Sequence, residues 1–234
     1  LPRLVTAYAR GLLVPFLGAG MSRVRCPDWQ ELVARLEAEA GIATPTSEAE
    51  RASAMLVRRA NRAVRRLALR APDALAAALR RTLYAGGDVT LPAQTERLAE
   101  LWWPLVVSTN YDDLFAATYA RRRAREDERH PSLADGSGDG HPLDGRYAGT
   151  LQVLGRGRLD CQRVLSSLSV TAPSVLWAIH GFVPQRGDPE LDRLAREVVV
   201  GHDEYRRIAH AEPYYRRTFA ETWRRRSLLF LGSS

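Results

Sequence analysis

Lysine is absent from the chain, so every one of its 34 Lys+Arg positions is an arginine. Arginine presents a rigid fork that suits phosphates, and a formal net charge of +7 is compatible with a polyanionic partner. A GC-rich coding sequence, which also favours alanine, gives the same composition without any such partner. Cysteine is scarce: Cys26 and Cys161 are the two present. They form no Cys-x-x-Cys pair, which excludes a four-cysteine zinc site within this chain. Two free, buried thiols are expected rather than a disulfide. No apolar run approaches the ~18–20 residues that a membrane span requires. Leu1 to Arg10 mixes apolar and charged residues without a small-residue cleavage site, so no leader is expected and the cytoplasm is the expected location. The 234 residues suffice for one core, or for one α/β domain with a smaller insertion.

The apolar pattern alternates short strands with helices. Pro2–Leu13 reads as a helix, and Val14–Leu17 as a buried strand that breaks at Gly18-Ala19-Gly20. Asp28 is placed to cap a helix that Gly41 ends. Three helices follow, at Ser47–Arg70, Asp73–Tyr84 and Pro92–Leu101, so about 42–101 reads as a helical insertion between the first two strands. Leu105–Ser108 is the next strand and Asp112–Arg123 the next helix. Glu126–Gly149 is rich in Gly, Asp, His and Pro and has no periodicity, which makes it a long, mobile loop beside the ligand crevice. Strands are expected at Thr150–Leu154, Ser174–Ile179, Glu197–Val200 and Leu228–Leu231, with helices at Leu159–Leu168, Asp203–Ala211 and Tyr214–Arg226. Short apolar strands between helices predict an α/β fold: a doubly wound, Rossmann-like parallel sheet covered on both faces.

Four strand ends carry residues suited to chemistry. Gly18-Ala19-Gly20-Met21-Ser22 lies between a strand and a helix, where backbone can approach a phosphate closely and Ser22 can donate to it. Arg23 occupies the third glycine position of the dehydrogenase fingerprint, which is therefore incomplete. A plain tight turn accounts for the same residues. Ser108-Thr109-Asn110-Tyr111-Asp112 follows the second strand; capping of the next helix is the simpler alternative. His180-Gly181 follows Val175–Ile179, where a lone histidine is more often structural. Phe230–Ser234 brings Gly232 and Ser233 to a fourth end. In a parallel sheet the ends share one edge, so these groups can converge on one crevice.

Taken together and in this order, the segments resemble the bacterial sirtuin-like NAD hydrolases of anti-phage defence, a family related to sirtuin deacylases that usually lacks their zinc ribbon. Gly18–Ser22 with Pro27 and Trp29 is similar to the first family motif, Thr109–Asp112 to the second and His180-Gly181 to the third. Asp203-Glu204-Tyr205 is a loose match, and Gly232-Ser233 is similar to the last motif. The resemblance implies a sirtuin-like domain over 1–234 that takes NAD as substrate and needs no metal. It implies that Gly18, Ala19, Gly20 and Ser22 line the pyrophosphate, with Trp29 and Thr109 also in the NAD site. Asn110 would position water or the nicotinamide ribose, Asp112 would contact the carboxamide, and His180 would act as base. Gly232 and Ser233 would lie near the adenosine. It also implies a homo-oligomer or a separate sensor or activator protein or domain as partner, with nucleic acid possible through a partner, and no membrane. The last motif departs from the family's, because the sequence stops where an aspartate would follow.

Two other functions fit parts of the sequence. A non-catalytic nucleotide-binding or nucleic-acid-associated subunit would use the arginine-rich helix about Arg58–Arg70 and the run Arg121-Arg122-Arg123. An NAD-dependent deacylase would need an acyl-peptide groove, which in that family borders a zinc ribbon. The spacing of the cysteines makes a direct prediction: elemental analysis of purified protein should find no stoichiometric zinc, and a zinc ion per chain would contradict it.

Overall fold

A computed structural model describes residues 2–43, 53–71, 73–85, 92–129, 151–168 and 174–232. The elements in chain order are α1 (Pro2–Ala9), β1 (Leu13–Leu17), α2 (Trp29–Glu39), α3 (Ser53–Ala68), α4 (Ala74–Leu83), α5 (Ala93–Ala99) and β2 (Leu105–Ser108). There follow α6 (Leu114–Arg129), β3 (Gln152–Leu154), α7 (Arg158–Ser166), β4 (Val175–Ala178), α8 (Pro189–Arg196), α9 (His202–Ala211), α10 (Pro213–Arg225) and β5 (Ser227–Leu231). The five strands form one sheet in the order β3-β4-β2-β1-β5. Every pairing is parallel. The fold is therefore α/β and doubly wound, as the strand–helix alternation predicts.

Side chains alternate across the sheet with the period of two that strands impose. Leu13, Leu17, Val106, Leu176 and Ala178 face one way and pack with Leu98 and Ala99 of α5 and with Phe115 and Tyr119 of α6. Val14, Leu105, Val107, Val175 and Trp177 face the other way and pack with Cys161 and Val164 of α7 and with Tyr215 and Phe219 of α10. A third core lies among α2, α3 and α4, where Val33, Leu36, Ala60, Ala63, Val64, Ala78 and Leu79 meet Val183, Ala195, Val198 and Val200. The helices between β1 and β2 thus form a layer with its own apolar centre.

The carboxyl ends of the strands are where such a sheet can open a crevice. β2 connects to β3 on one side of it, and β4 connects to β5 on the other. Right-handed crossovers put these two connections on opposite faces of the sheet, in accord with α6 and α10 lying in different cores. Neighbouring strands whose connections depart in opposite directions leave a gap at their carboxyl ends. Topology alone would open that gap between the residues that follow Ser108 and those that follow Ala178, but there the Ile179 and Val183 N–H groups donate to the Ser108 and Tyr111 carbonyls at 3.0 and 2.7 Å, and the cleft opens instead beside the exits of β1 and β2.

Local signals held at most boundaries. Asp28 caps α2 by accepting from the Glu31 N–H at 2.8 Å, and Gly41 ends it with φ +65°. Three expectations need correction. The first helix stops at Ala9, and Leu13 already belongs to β1, because Gly11, with φ +65°, breaks the helix. Residues 126–129, read as the start of the long loop, are the last turn of α6; the remainder of that loop, 130–149, lies outside the described residues. Glu197–Val200 is no strand. It is a buried connector in which the Val199 N–H donates to the His180 carbonyl at 2.9 Å and the Val199 carbonyl accepts from Tyr111 at 2.6 Å. Among the described residues, no helix is long and apolar enough to cross a membrane.

The helical layer encloses an ion pair. Glu37 of α2 is 1% exposed and Arg59 of α3 is 7% exposed. Arg59 Nη2 donates to Glu37 Oε2 at 2.6 Å and its Nε to both carboxylate oxygens at 3.1 Å. Burial alone would push the Glu37 carboxyl up, but the hydrogen bonds from Arg59 and Arg62 outweigh it and hold the carboxyl below the usual range. A depressed carboxyl stabilises the fold fully above its ordinary value and loses that contribution as pH falls through the lowered one. Glu37→Ala should cost ~3–5 kcal/mol at neutral pH, because it removes the carboxylate that Arg59 and Arg62 pair with in the interior. Urea unfolding measures this; a loss under ~1 kcal/mol, the range of an exposed pair, would contradict it.

Candidate functional site

The register of the sheet sets the site. Leu17, Ser108, Ala178 and Leu231 stand in one row across β1, β2, β4 and β5. Asn110 and His180 each follow that row by two residues, at the ends of adjacent strands. Hydrogen bonds extend the ladder past the strands: the Thr109 N–H and hydroxyl both donate to the Leu17 carbonyl at 3.0 Å, and the Ile179 N–H donates to the Ser108 carbonyl at 3.0 Å. The exits of β1, β2 and β4 are thereby tied into one edge.

The glycine turn packs against the exit of β5. The Gly18 N–H donates to the Leu231 carbonyl at 2.9 Å and the Gly20 N–H to the Gly232 carbonyl at 2.8 Å. A Cβ on Gly20 would lie 2.8 Å from the Gly232 Cα, and one on Gly232 2.5 Å from the Met21 nitrogen. Gly232 also has φ +65°, so close approach requires both glycines. The Met21 and Ser22 N–H groups return to Gly18 and Ala19 within the turn. This leaves the Ala19 N–H without a protein acceptor among the described residues. Ser233 lies outside the described residues.

Asn110 is held by its side-chain nitrogen, which donates to the Gly18 carbonyl at 3.0 Å and to Ser22 Oγ at 3.2 Å. A backbone carbonyl only accepts, which fixes the amide's orientation and turns its oxygen outward as an acceptor. The buried Ser22 hydroxyl accepts from Asn110 and hydrogen-bonds the Asp112 carboxyl. Its single proton goes to Asp112, so Ser22 acts here as a link between the two side chains. Asp112 is buried, and its Oδ1 accepts from the Leu114 N–H at 3.1 Å, capping α6. Burial pushes its carboxyl up, against the opposing hydrogen bonds from Ser22 and the Leu114 N–H. The Cys26 thiol, half-buried rather than buried, is also pushed up, by burial and then by the charge of Asp112 and a hydrogen bond to it.

These groups surround a cleft of about 150 Å³ whose walls include Ala19, Ser22, Trp29, Thr109, Asn110 and Asp112. Cys26, Leu32 and Leu83 supply apolar wall. The volume is below the ~300–1,000 Å³ of typical ligand clefts, so it has room for no more than part of a drug-sized molecule. His180 and Gly232 are not part of its wall. His180 joins the site through the Thr109 backbone, whose carbonyl accepts from the imidazole. Burial, and then the charge of Arg156, push its pKa down to about 4, so the ring is neutral at ordinary pH. Tyr205 meets it edge-on, with ring centroids 6.3 Å apart.

Two residues of this region escaped the sequence reading. Arg156, buried just beyond β3, donates to the Ile179 carbonyl at 2.9 Å, the Glu197 carbonyl at 2.7 Å and Glu212 Oε2 at 3.0 Å. It ties the backbone just before His180 to the 197–200 connector, whose Val199 N–H donates to the His180 carbonyl. Its signal was its place, since β3 also ends on the functional edge. Tyr84 donates to the Val183 carbonyl at 2.6 Å, and its oxygen accepts from the Asp113 N–H at 2.9 Å, which ties the helical layer to the β2 exit. Its sequence context, the end of an amphipathic helix, gave no such signal.

A family model described as a SIR2-like domain matches residues 104–234, more than half of the 234-residue chain. The match takes in Asn110, Asp112, His180 and Gly232; the glycine turn and the helical layer precede it. No curated protein matches the chain. SIR2-like domains are commonly NAD-utilising, which ties the chain to NAD at the level of the family. With a parallel sheet whose strand ends gather these residues and a family match over its second half, the chain belongs to the SIR2-like domain family.

Proposed function

We propose that the protein hydrolyses NAD at the bond between nicotinamide and ribose, as a triggered enzyme of bacterial anti-phage defence. The observation that carries the chemical part is the Asn110 side chain, fixed by Gly18 and Ser22 beside the buried Asp112 at the wall of the cleft. The defence role rests on the resemblance of the ordered motifs.

Nicotinamide leaves as a neutral molecule, so the leaving group needs no general acid. The barrier is formation of an oxocarbenium-like ribosyl cation, as in glycoside cleavage. A site lowers that barrier by orienting the ribose, placing water and surrounding the developing positive charge with acceptors. The Asn110 amide oxygen is a fixed acceptor for a ribose hydroxyl or a water. Asp112, desolvated yet hydrogen-bonded, supplies a carboxyl near the carboxamide end. Trp29 offers an aromatic wall, and the Gly18–Gly20 turn with Ala19 lies where the diphosphate would pass. His180 accepts a proton through a ring that is neutral at working pH. A base with a pKa of about 4 is weaker than one tuned to neutrality, so its larger contribution is to hold a hydroxyl or water by hydrogen bond.

Asn110→Ala and His180→Ala should each lower nicotinamide release by on the order of 10²-fold with NAD affinity and melting temperature little changed. Release near the parental rate from well-folded variants would refute the assignment. The pH profile is a second check. Because His180 titrates at about 4 in the fold and near 6.5 when free, activity should stay level from about pH 8 to pH 5 and fall below that. Protonation favours the unfolded chain, so the histidine's contribution to stability should decline as pH falls from about 6.5 and level off below about 4. An acid limb centred near 6.5 would contradict the buried, neutral histidine.

A further inference from the structure

The arginine face of α3 takes no part in the site described above. The helix buries Leu56, Ala60, Ala63, Val64 and Leu67 against α2 and α4. Its opposite face carries a groove of about 530 Å³ lined by Arg58, Asn61, Arg62, Arg65, Arg66 and Leu69. The four arginines are exposed. Among the described residues, Arg58 and Arg66 have no acidic partner, whereas Arg62 shares Glu37 with Arg59 at 3.1 Å. On a helix that rises ~1.5 Å per residue, side chains at i, i+4 and i+8 form a row with a pitch of ~6 Å. Arg58, Arg62 and Arg66 make such a row.

We propose that this face binds the phosphate backbone of duplex nucleic acid. Guanidinium forks pair with phosphate oxygens in a planar, two-pronged geometry that a lysine cannot supply. The row repeats at about the interval of neighbouring phosphates along a strand. Single-stranded nucleic acid is held through aromatic side chains on which bases stack, and the groove contains none. Asn61 and Leu69 are the only non-basic residues of its lining, so the surface reads charge and shape without base sequence. Such a contact would deliver the domain to its site of action independently of the NAD cleft.

The test is fluorescence anisotropy of a labelled 20-base-pair duplex with the chain, over a range of salt concentrations. The measurement contains no NAD, so its outcome is separate from that of nicotinamide release. Neutralising each phosphate contributes ~0.9 to the slope of log K against log salt, so the parent should show a slope of about −3 to −4. Arg58→Gln with Arg66→Gln should reduce the magnitude of the slope by about 2 and weaken low-salt binding at least ~10-fold. Arg58→Lys with Arg66→Lys should keep the slope, since charge sets it. The proposal is overturned if the parent does not bind, if the glutamine variant binds as the parent does, or if single-stranded DNA or poly-glutamate competes as well as duplex.

Discussion

Parallel pairing in one register constrains everything at the functional edge. Leu17, Ser108, Ala178 and Leu231 align across four strands, so all four exits leave the sheet at one height. Thr109 and Ile179 then continue the ladder for one more residue. A slip of one residue would send the side chains of that strand to the wrong face and carry Asn110 away from Gly18. The polar groups of the site are placed by backbone hydrogen bonds that an apolar sheet, covered on both faces, protects from water.

Around that edge the structure invests in bracing. Arg156 spans the carbonyls of Ile179 and Glu197, joining the backbone that precedes His180 to the connector that binds its carbonyl, and its charge helps keep the imidazole neutral. Tyr84 fastens the helical layer to the Asp113 N–H and the Val183 carbonyl. The Glu37–Arg59 pair joins α2 to α3 within that layer. A buried pair of this kind adds little over an apolar substitute but is costly to break, so it serves better to fix the angle between helices than to add stability. The cleft wall at Trp29, Leu32 and Leu83 belongs to this layer, so the layer's position sets the width of the cleft.

Much of the fold was legible because strand–helix alternation and capping residues are local signals. Asp28, Gly41 and the apolar runs at Val14–Leu17, Leu105–Ser108 and Val175–Ile179 located their elements to within a few residues. The error at Glu197–Val200 shows the limit: three consecutive valines carry the same local signature whether they join a ladder or fill a core between helices. Asn110 and Asp112 were found through their place after a strand, while the link that Ser22 makes between them depends on a turn distant in sequence. Arg156 and Tyr84 were missed because what they brace lies up to 99 residues away, and no local periodicity records such a contact. The glycines at 20 and 232 were recognised as phosphate-compatible, but their mutual contact is a property of the β1–β5 pairing alone.

The central claim is that the cleft between Trp29 and Asp112 receives the nicotinamide end of NAD. A crystal structure of the Asn110→Ala variant soaked with NAD tests it most directly, since slowed cleavage would preserve the intact substrate. The expected result is a nicotinamide ring against the Trp29 side of the cleft, its carboxamide within hydrogen-bond distance of Asp112, and the diphosphate over the Gly18–Gly20 turn. NAD bound elsewhere on the molecule, or a cleft that stays filled by its own side chains at saturating NAD, would contradict it.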